Sequence, residues 1–310
     1  MRDRCTASRS AGGWLWWLSL VAGAALLLVP PHAAQAQASE PAPPPPAQVE
    51  PAQVEPVQAE PAQAAPDAAA APAVACSKIW LGHEAEYEEM LRTASVTKVE
   101  RIPIGVTRPR VAFVAPGLPF QRMAWKPLKP GMYQGFYESY GSEIAAYELD
   151  KSLGLGMVPP TVERRIEGDV GSAQLWVENV KRWDVKNPVR GPDKRAWARE
   201  LVRQKMFDQL VGNIDRNQGN LLYDAEFHLI LIDHSRAFRE VVDLNQYAKP
   251  LFVDPVLWDR MQALTMETLE AAVGKRVSKG MLYAVLDRRN RMKRDIDKLL
   301  ASRGPSIWLR

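Results

Sequence analysis

Thiols and imidazoles are scarce in this chain: two cysteines and four histidines in 310 residues. Cys5 falls in a leading segment that reads as removable, so a mature chain would keep Cys76 alone and could close no intramolecular disulfide. His32, His83, His228 and His234 do not cluster with thiols, which argues against a zinc site. Cys76 also lies too far from the leading apolar run to act as a lipid acceptor. Bases are missing altogether from residues 39–75, whose charges are Glu40, Glu50, Glu55, Glu60 and Asp67. No glycine-rich GxGxxG phosphate loop occurs anywhere.

What is present begins with Arg2, Arg4 and Arg9, an apolar run from Trp14 to Val29, and the small-residue stretch "PPHAAQAQA". Basic, apolar and small regions in that order predict a secretory signal peptide over residues 1–38, cleaved near Ala36 or Ala38. An uncleaved membrane anchor is the alternative, because the apolar run is a little long for a signal. Residues 39–75 then repeat "PAQVE", "PAQVE", "PVQAE", "PAQAA". Proline at every fifth position fixes φ and removes donors, so an extended, disordered spacer is expected. The chain is therefore expected to be exported, to a periplasm, cell envelope or extracellular space, with any membrane contact confined to its first segment.

A single folded region, residues 76–310, remains. Setting aside three early bases and six early acids leaves 37 basic and 30 acidic residues, about +7. That mild excess suits a phosphate-bearing ligand as well as an ordinary solvated surface. Residues 94–180 read as strands, "VTKVERIPIG", "PRVAFVA", "QRMAWKPL", "MVPPTVERRI" and "SAQLWVENV", interrupted by one helix, "SEIAAYELDKSLG". Ser142 is the expected N-cap of that helix and Gly154 its close. In the second lobe, about 181–310, helical periodicity dominates from about 193 onward, with Trp197, Leu201, Val202, Met206, Leu210 and Val211 on one stripe. Later helices are expected over "LWDRMQALTMETLEAAVG" and "MLYAVLDRRNRMKRDIDKLLAS". One hairpin sits among them, with "NLLY" and "FHLILI" flanking "DAE". The fold class is thus α+β in two lobes: a β-rich N-lobe with one helix, and a helical C-lobe with a hairpin.

The stretch "VGNIDRNQGNLLYDAEFHLILIDHSRAF" carries the chemistry. It places Asp215 and Asn220 five apart and ends the hairpin on Asp233. Transfer of a phosphoryl group needs a base for the acceptor, oxygen ligands for a hard divalent cation, and a cation on the phosphates. Asp-x4-Asn followed by an Asp-terminated hairpin matches the catalytic-loop base and the two metal-binding residues of kinases. A polar turn capping its own backbone is the plainer reading, but it leaves an acid after "LILI" without a partner. On the N-terminal side Lys126, in "QRMAWKPLKPG", is the candidate phosphate cation. Glu143 is its expected partner, with Glu148 one turn later as the alternative. Gly105 and Thr107 in "IPIGVTRPR" could cover phosphate, and Glu178 to Val180 fall where an interlobe hinge would offer backbone groups to adenine.

"FDQLVGNIDRNQGNLL" followed by "LILIDHSRAF" resembles the catalytic core of atypical kinases. These include the secretory-pathway kinases of the Golgi casein and xylose type, the HipA-like kinases and the phosphatidylinositol 3-/4-kinase group. The resemblance spans roughly 94–300 and is specific between 207 and 238. It implies a protein-kinase-like fold and an ATP-dependent kinase acting on a hydroxyl of a protein or glycan. By the same resemblance Asp215 is the base, Asn220 and Asp233 hold Mg²⁺ or Mn²⁺, and Asn213 and Arg216 position the loop. Asn217 departs from the pattern, since family members place His there. A pseudoenzyme that binds nucleotide or a partner, or an enzyme transferring AMP, are the alternatives. A monomer is expected, with no nucleic-acid partner. A lipid kinase is disfavoured by the lack of an interfacial amphipathic or strongly polybasic segment.

Overall fold

A computed structural model describes residues 77–102, 109–184, 186–244 and 251–309. The expected signal peptide, the spacer, Cys76, Gly105 and Thr107 lie outside these residues. No helix among the described residues is long and apolar enough to cross a membrane.

A helix that the sequence reading did not anticipate leads the fold: α1, Glu84–Thr93. Its Tyr87 and Leu91 stand one turn apart and are buried with Trp80 of the preceding segment. Three antiparallel strands follow, β1 Val96–Arg101, β2 Arg110–Val114 and β3 Arg122–Lys126. A two-stranded ribbon comes next, β4 Gly131–Tyr133 and β5 Phe136–Glu138. It too was unforeseen. Its turn places Gln134 and Gly135 at φ 50 and 83, the double positive φ that twists a two-residue hairpin correctly.

Helix α2, Tyr140–Ser152, precedes the hairpin β6 Thr161–Ile166 and β7 Asp169–Leu175. The five-stranded sheet has the order β1-β2-β3-β7-β6, so β7 lies beside β3, with Lys126 opposite Ser172. The N-cap of α2 is Ser139, not Ser142. Ser139 is extended and its hydroxyl accepts from Gly141 N at 2.9 Å. Ser142 already lies inside the helix, where its buried hydroxyl donates to Ala237 O.

The C-lobe contains β8 Lys181–Arg182, α3 Lys194–Val211, β9 Leu221–Tyr223, β10 Leu229–Leu231, α4 Pro255–Gln262, α5 Met266–Val273 and α6 Lys279–Arg303. The single helix expected over 257–274 is two. Thr265 stops it by a reciprocal capping box, accepting from Thr268 N while Thr268 Oγ1 accepts from Thr265 N.

Each lobe has its own apolar core, and strand β10 runs between them. Leu229 and Leu231 belong to the helical core, whereas Ile230 packs in the core of the five-stranded sheet. That alternation is the two-residue period of a strand buried on both faces, and it explains the apolar "LILI". It also delivers Asp233 to the seam between the cores.

Candidate active site

Helix α3 ends on Gly212, in the left-handed region at φ 65 and ψ 36. An added Cβ there would lie 2.8 Å from Arg288 Cζ, so the sharp exit requires glycine on both counts. Asn213 follows, buried, its Nδ2 donating to Asp208 Oδ1 at 3.1 Å and its Oδ1 accepting from Asp215 N at 3.1 Å. Arg216 turns back into the protein. Its Nε and Nη2 donate to the two oxygens of Asp208 at 2.9 and 3.0 Å, and its Nη1 reaches Asn220 O and Ile232 O. One guanidinium thus ties the helix end, the loop and the end of β10 together, as its planar fork permits.

That scaffold leaves three oxygen-bearing side chains at the cleft. Asp215 has 36% of its side chain exposed. Asn220 donates through Nδ2 to Asp215 O at 3.2 Å, leaving its Oδ1 without a partner among the described residues. Asp233 takes a positive φ of 62, which swings its carboxylate out of the line of β10. Across the cleft Lys126 Nζ lies 2.7 Å from Asp233 Oδ1 and 2.5 Å from Glu143 Oε1. Glu143 Oε2 accepts from His234 N at 2.9 Å. Glu148 instead pairs with Arg276, which decides between the two candidate partners of Lys126.

Burial opposes charge on Lys126, but the facing Asp233 and Glu143 carboxylates outweigh it and hold its pKa above the ordinary value. Asp233 is likewise penalised by burial, yet Lys126 brings it down to about 2. Glu143 goes the other way, raised by complete burial in spite of Lys126. His234 is pushed well below its ordinary value by burial and by Arg216. It is neutral, accepting from Arg216 Nη2 on Nε2 at 2.7 Å and carrying its proton on Nδ1.

The cleft has a volume of about 420 Å³ and is lined by Lys126, Asp215, Asn217, Asn220, Asp233 and Arg236, among others. Gln174 and Trp176 line it on the hinge side. Glu178 and Val180, expected to offer backbone groups there, are not in the lining. The Glu178 carboxylate is drawn away to Arg122 at 2.8 Å, and Val180 packs against the N-lobe core. Asn217 is in the lining and brings no charge. A divalent cation fits the donor set, because the second oxygen of Asp233 and Asn220 Oδ1 are hard donors not engaged by another described residue.

Asp208, Glu138 and Arg236 escaped sequence reasoning. Asp208 is an acid in the apolar last turns of α3, eight residues before the arginine it holds. Arg236, three residues after Asp233, spans two carboxylates: Glu138 Oε1 at 2.7 Å from its Nη2, and Asp215 Oδ2 at 3.1 Å from its Nη1. Its place in "DHSRAF" was the available signal. Glu138, in an aromatic ribbon, offered none.

Two lobes, an antiparallel sheet with one helix above a helical half, and this cleft between them define a protein-kinase-like fold. Among solved structures the chain is similar to the Golgi casein kinase with Mn/ADP bound, with a TM-score of 0.58 and 17% identity, covering 72% of this chain and 77% of that one. The structure of hydra Fam20 with sugar matches with a TM-score of 0.57 and 15% identity, over 72% of this chain and 91% of that one. Among curated proteins, Protein Rv2133c of Mycobacterium tuberculosis is 27% identical over 124 residues, 30% of this chain and 45% of the relative. The match thus spans less than half of that relative's length. No protein-family model matches the chain.

Proposed function

We propose that the protein is an exported, metal-dependent kinase that transfers the γ-phosphate of ATP to a hydroxyl of a protein or glycan. One observation carries this reading: Lys126 closed onto Glu143 and Asp233, with Asp215 and Asn220 lining the same cleft. Lys126 holds the α- and β-phosphates, and Asn220 and Asp233 hold Mg²⁺ or Mn²⁺, which offsets the phosphate charge when bound. Asp215 accepts the proton of the acceptor hydroxyl as its oxygen bonds the γ-phosphorus. The bond from that phosphorus to the bridging oxygen breaks, and ADP leaves with the electron pair. Asn213 and Arg216 fix the angle of the loop. The residue order at 1–38 supports export, and the Mn/ADP of the Golgi casein kinase supports the choice of ligands.

Asn217 favours a second reading, a nucleotide-binding pseudoenzyme, because it brings no cation to the cleft. The two part in one experiment. The full chain is incubated with Mn²⁺ and ATP labelled at the γ or the α position, beside Asp215→Ala and Asp233→Ala. Label from the γ position, falling at least 100-fold in both variants, is the expected result. Label from the α position indicates AMP transfer, and metal-dependent binding without transfer indicates the pseudoenzyme.

A further inference from the structure

Arg236 has no role in the scheme above, yet it is built into the cleft with care. Its guanidinium lies over the ring of Phe136, 4.4 Å from the centroid. Glu138, on the same ribbon strand and 1% exposed, takes the Nε and Nη2 edge at 2.8 and 2.7 Å. The guanidinium is therefore fixed on one face and one edge, and its Nη1 end points to Asp215 Oδ2 at 3.1 Å. A guanidinium carries five N–H groups; here Nε donates to Glu138, while Nη2 and Nη1 lie at ion-pair distance from Glu138 and Asp215. The side chain lines the cleft beside Asp215, with Asp233 in the same lining. Any atom attacked by a hydroxyl held at Asp215 lies within one atom of that hydroxyl, and so next to the Nη1 end.

Among the described residues three cations line the cleft: Lys126, Arg182 and Arg236. Lys126 is committed to two carboxylates, Glu143 of the N-lobe and Asp233 of the C-lobe. Arg182 is exposed on the short strand β8, with no ion pair among the described residues. Among these described cations, Arg236 alone is both fixed in place and adjacent to Asp215.

We propose, resting on the kinase reading, that Arg236 contacts the terminal phosphate of the nucleotide and distinguishes a triphosphate from a diphosphate. The β4–β5 ribbon is then the mount that aims it. Arg236 supplies at the γ-phosphate the positive charge that Asn217, in the same lining, does not. Its ion pair with Asp215 holds the carboxylate beside the phosphate until an acceptor hydroxyl arrives.

The test is binding by the full chain in Mn²⁺, comparing ADP with a non-hydrolysable β,γ-imido triphosphate. Arg236→Gln is measured beside Arg236→Lys and the double variant Glu138→Gln/Arg236→Gln, which leaves no unpaired buried carboxylate. Losing a charge-assisted contact predicts 10- to 100-fold weaker triphosphate binding in Arg236→Gln and the double variant. ADP should stay within about twofold, and Arg236→Lys should recover part of the loss. Equal weakening of both nucleotides, or of neither, overturns the assignment of Arg236. A wild-type chain that binds neither nucleotide overturns the kinase reading itself.

Discussion

Asp208 illustrates how much of the site rests on groups that never reach the cleft. Almost fully buried, it accepts from Gln204, Asn213 and the Nε and Nη2 edge of the Arg216 guanidinium. Removing the charge leaves a mostly buried arginine unpaired, an arrangement that costs about 3–5 kcal/mol when one partner of a buried pair is deleted. Asp208→Asn should therefore lower unfolding stability by that amount in urea titration; a loss below about 1 kcal/mol would mean that water replaces the carboxylate. Asp215, Asn220 and Asp233 were legible in the sequence because chemistry fixes their spacing along one strand-and-loop segment. Asp208, Glu138 and Arg236 were not, because their partners are chosen through space. Glu178 and Val180 were placed by position alone, because a hinge contributes backbone groups, which have no residue signature.

Elements show the same division. Strand β10 and helix α3 announce themselves by periodicity, whereas the stops of helices depend on single side chains. Ser139 and Ser142 are equivalent on paper, and only the extended backbone at Ser139 decides which of them caps α2. The other end of α2 carries a titratable device. Asp150 accepts from the backbone N–H of Gly156, Met157 and Val158, pinning the turn that leads to β6. Burial raises its pKa from 3.8 to about 7, against the pull of those donors and of Lys78. The folded state therefore binds the extra proton across that window. The associated stability is complete below the unfolded pKa and is lost as pH rises through about 7. The upper bound of this contribution is on the order of 4 kcal/mol, from about 1.4 kcal/mol per pKa unit. In Asp150→Asn the fall in stability between pH 4 and 7 should become shallower, though not vanish, because Glu143 and Glu148 are also raised. Unfolding curves at pH 4.5, 6 and 7.5 read the slope directly. An unchanged slope would assign it to those two glutamates.

At the scale of the whole molecule the two lobes were legible, but the start of the first was not. The strand-rich reading began near residue 94, since "EAEYEEMLRT" has too few apolar positions to stand out. The fold nevertheless depends on it. Trp80, Tyr87 and Leu91 complete the N-lobe core, and Arg164 of β6 donates to the carbonyls of Leu91 and Ala94 at the end of α1. On the other side Glu88 receives the hydroxyl of Tyr147 at 2.8 Å and the ammonium of Lys151 at 2.5 Å, both from α2. Helix α1 thereby braces the helix that carries Glu143 and, through it, Lys126. Burying three such apolar side chains is worth about 1.5–3 kcal/mol each, or roughly 6 kcal/mol together, comparable with the net stability of a domain. A chain beginning at residue 77 should unfold cooperatively, and one beginning at residue 95 should be unfolded or aggregated at 25 °C. Circular dichroism and size-exclusion chromatography on the two chains separate the outcomes. Cooperative unfolding of the shorter chain with an unchanged midpoint would make α1 a passenger on the lobe and remove the brace from α2.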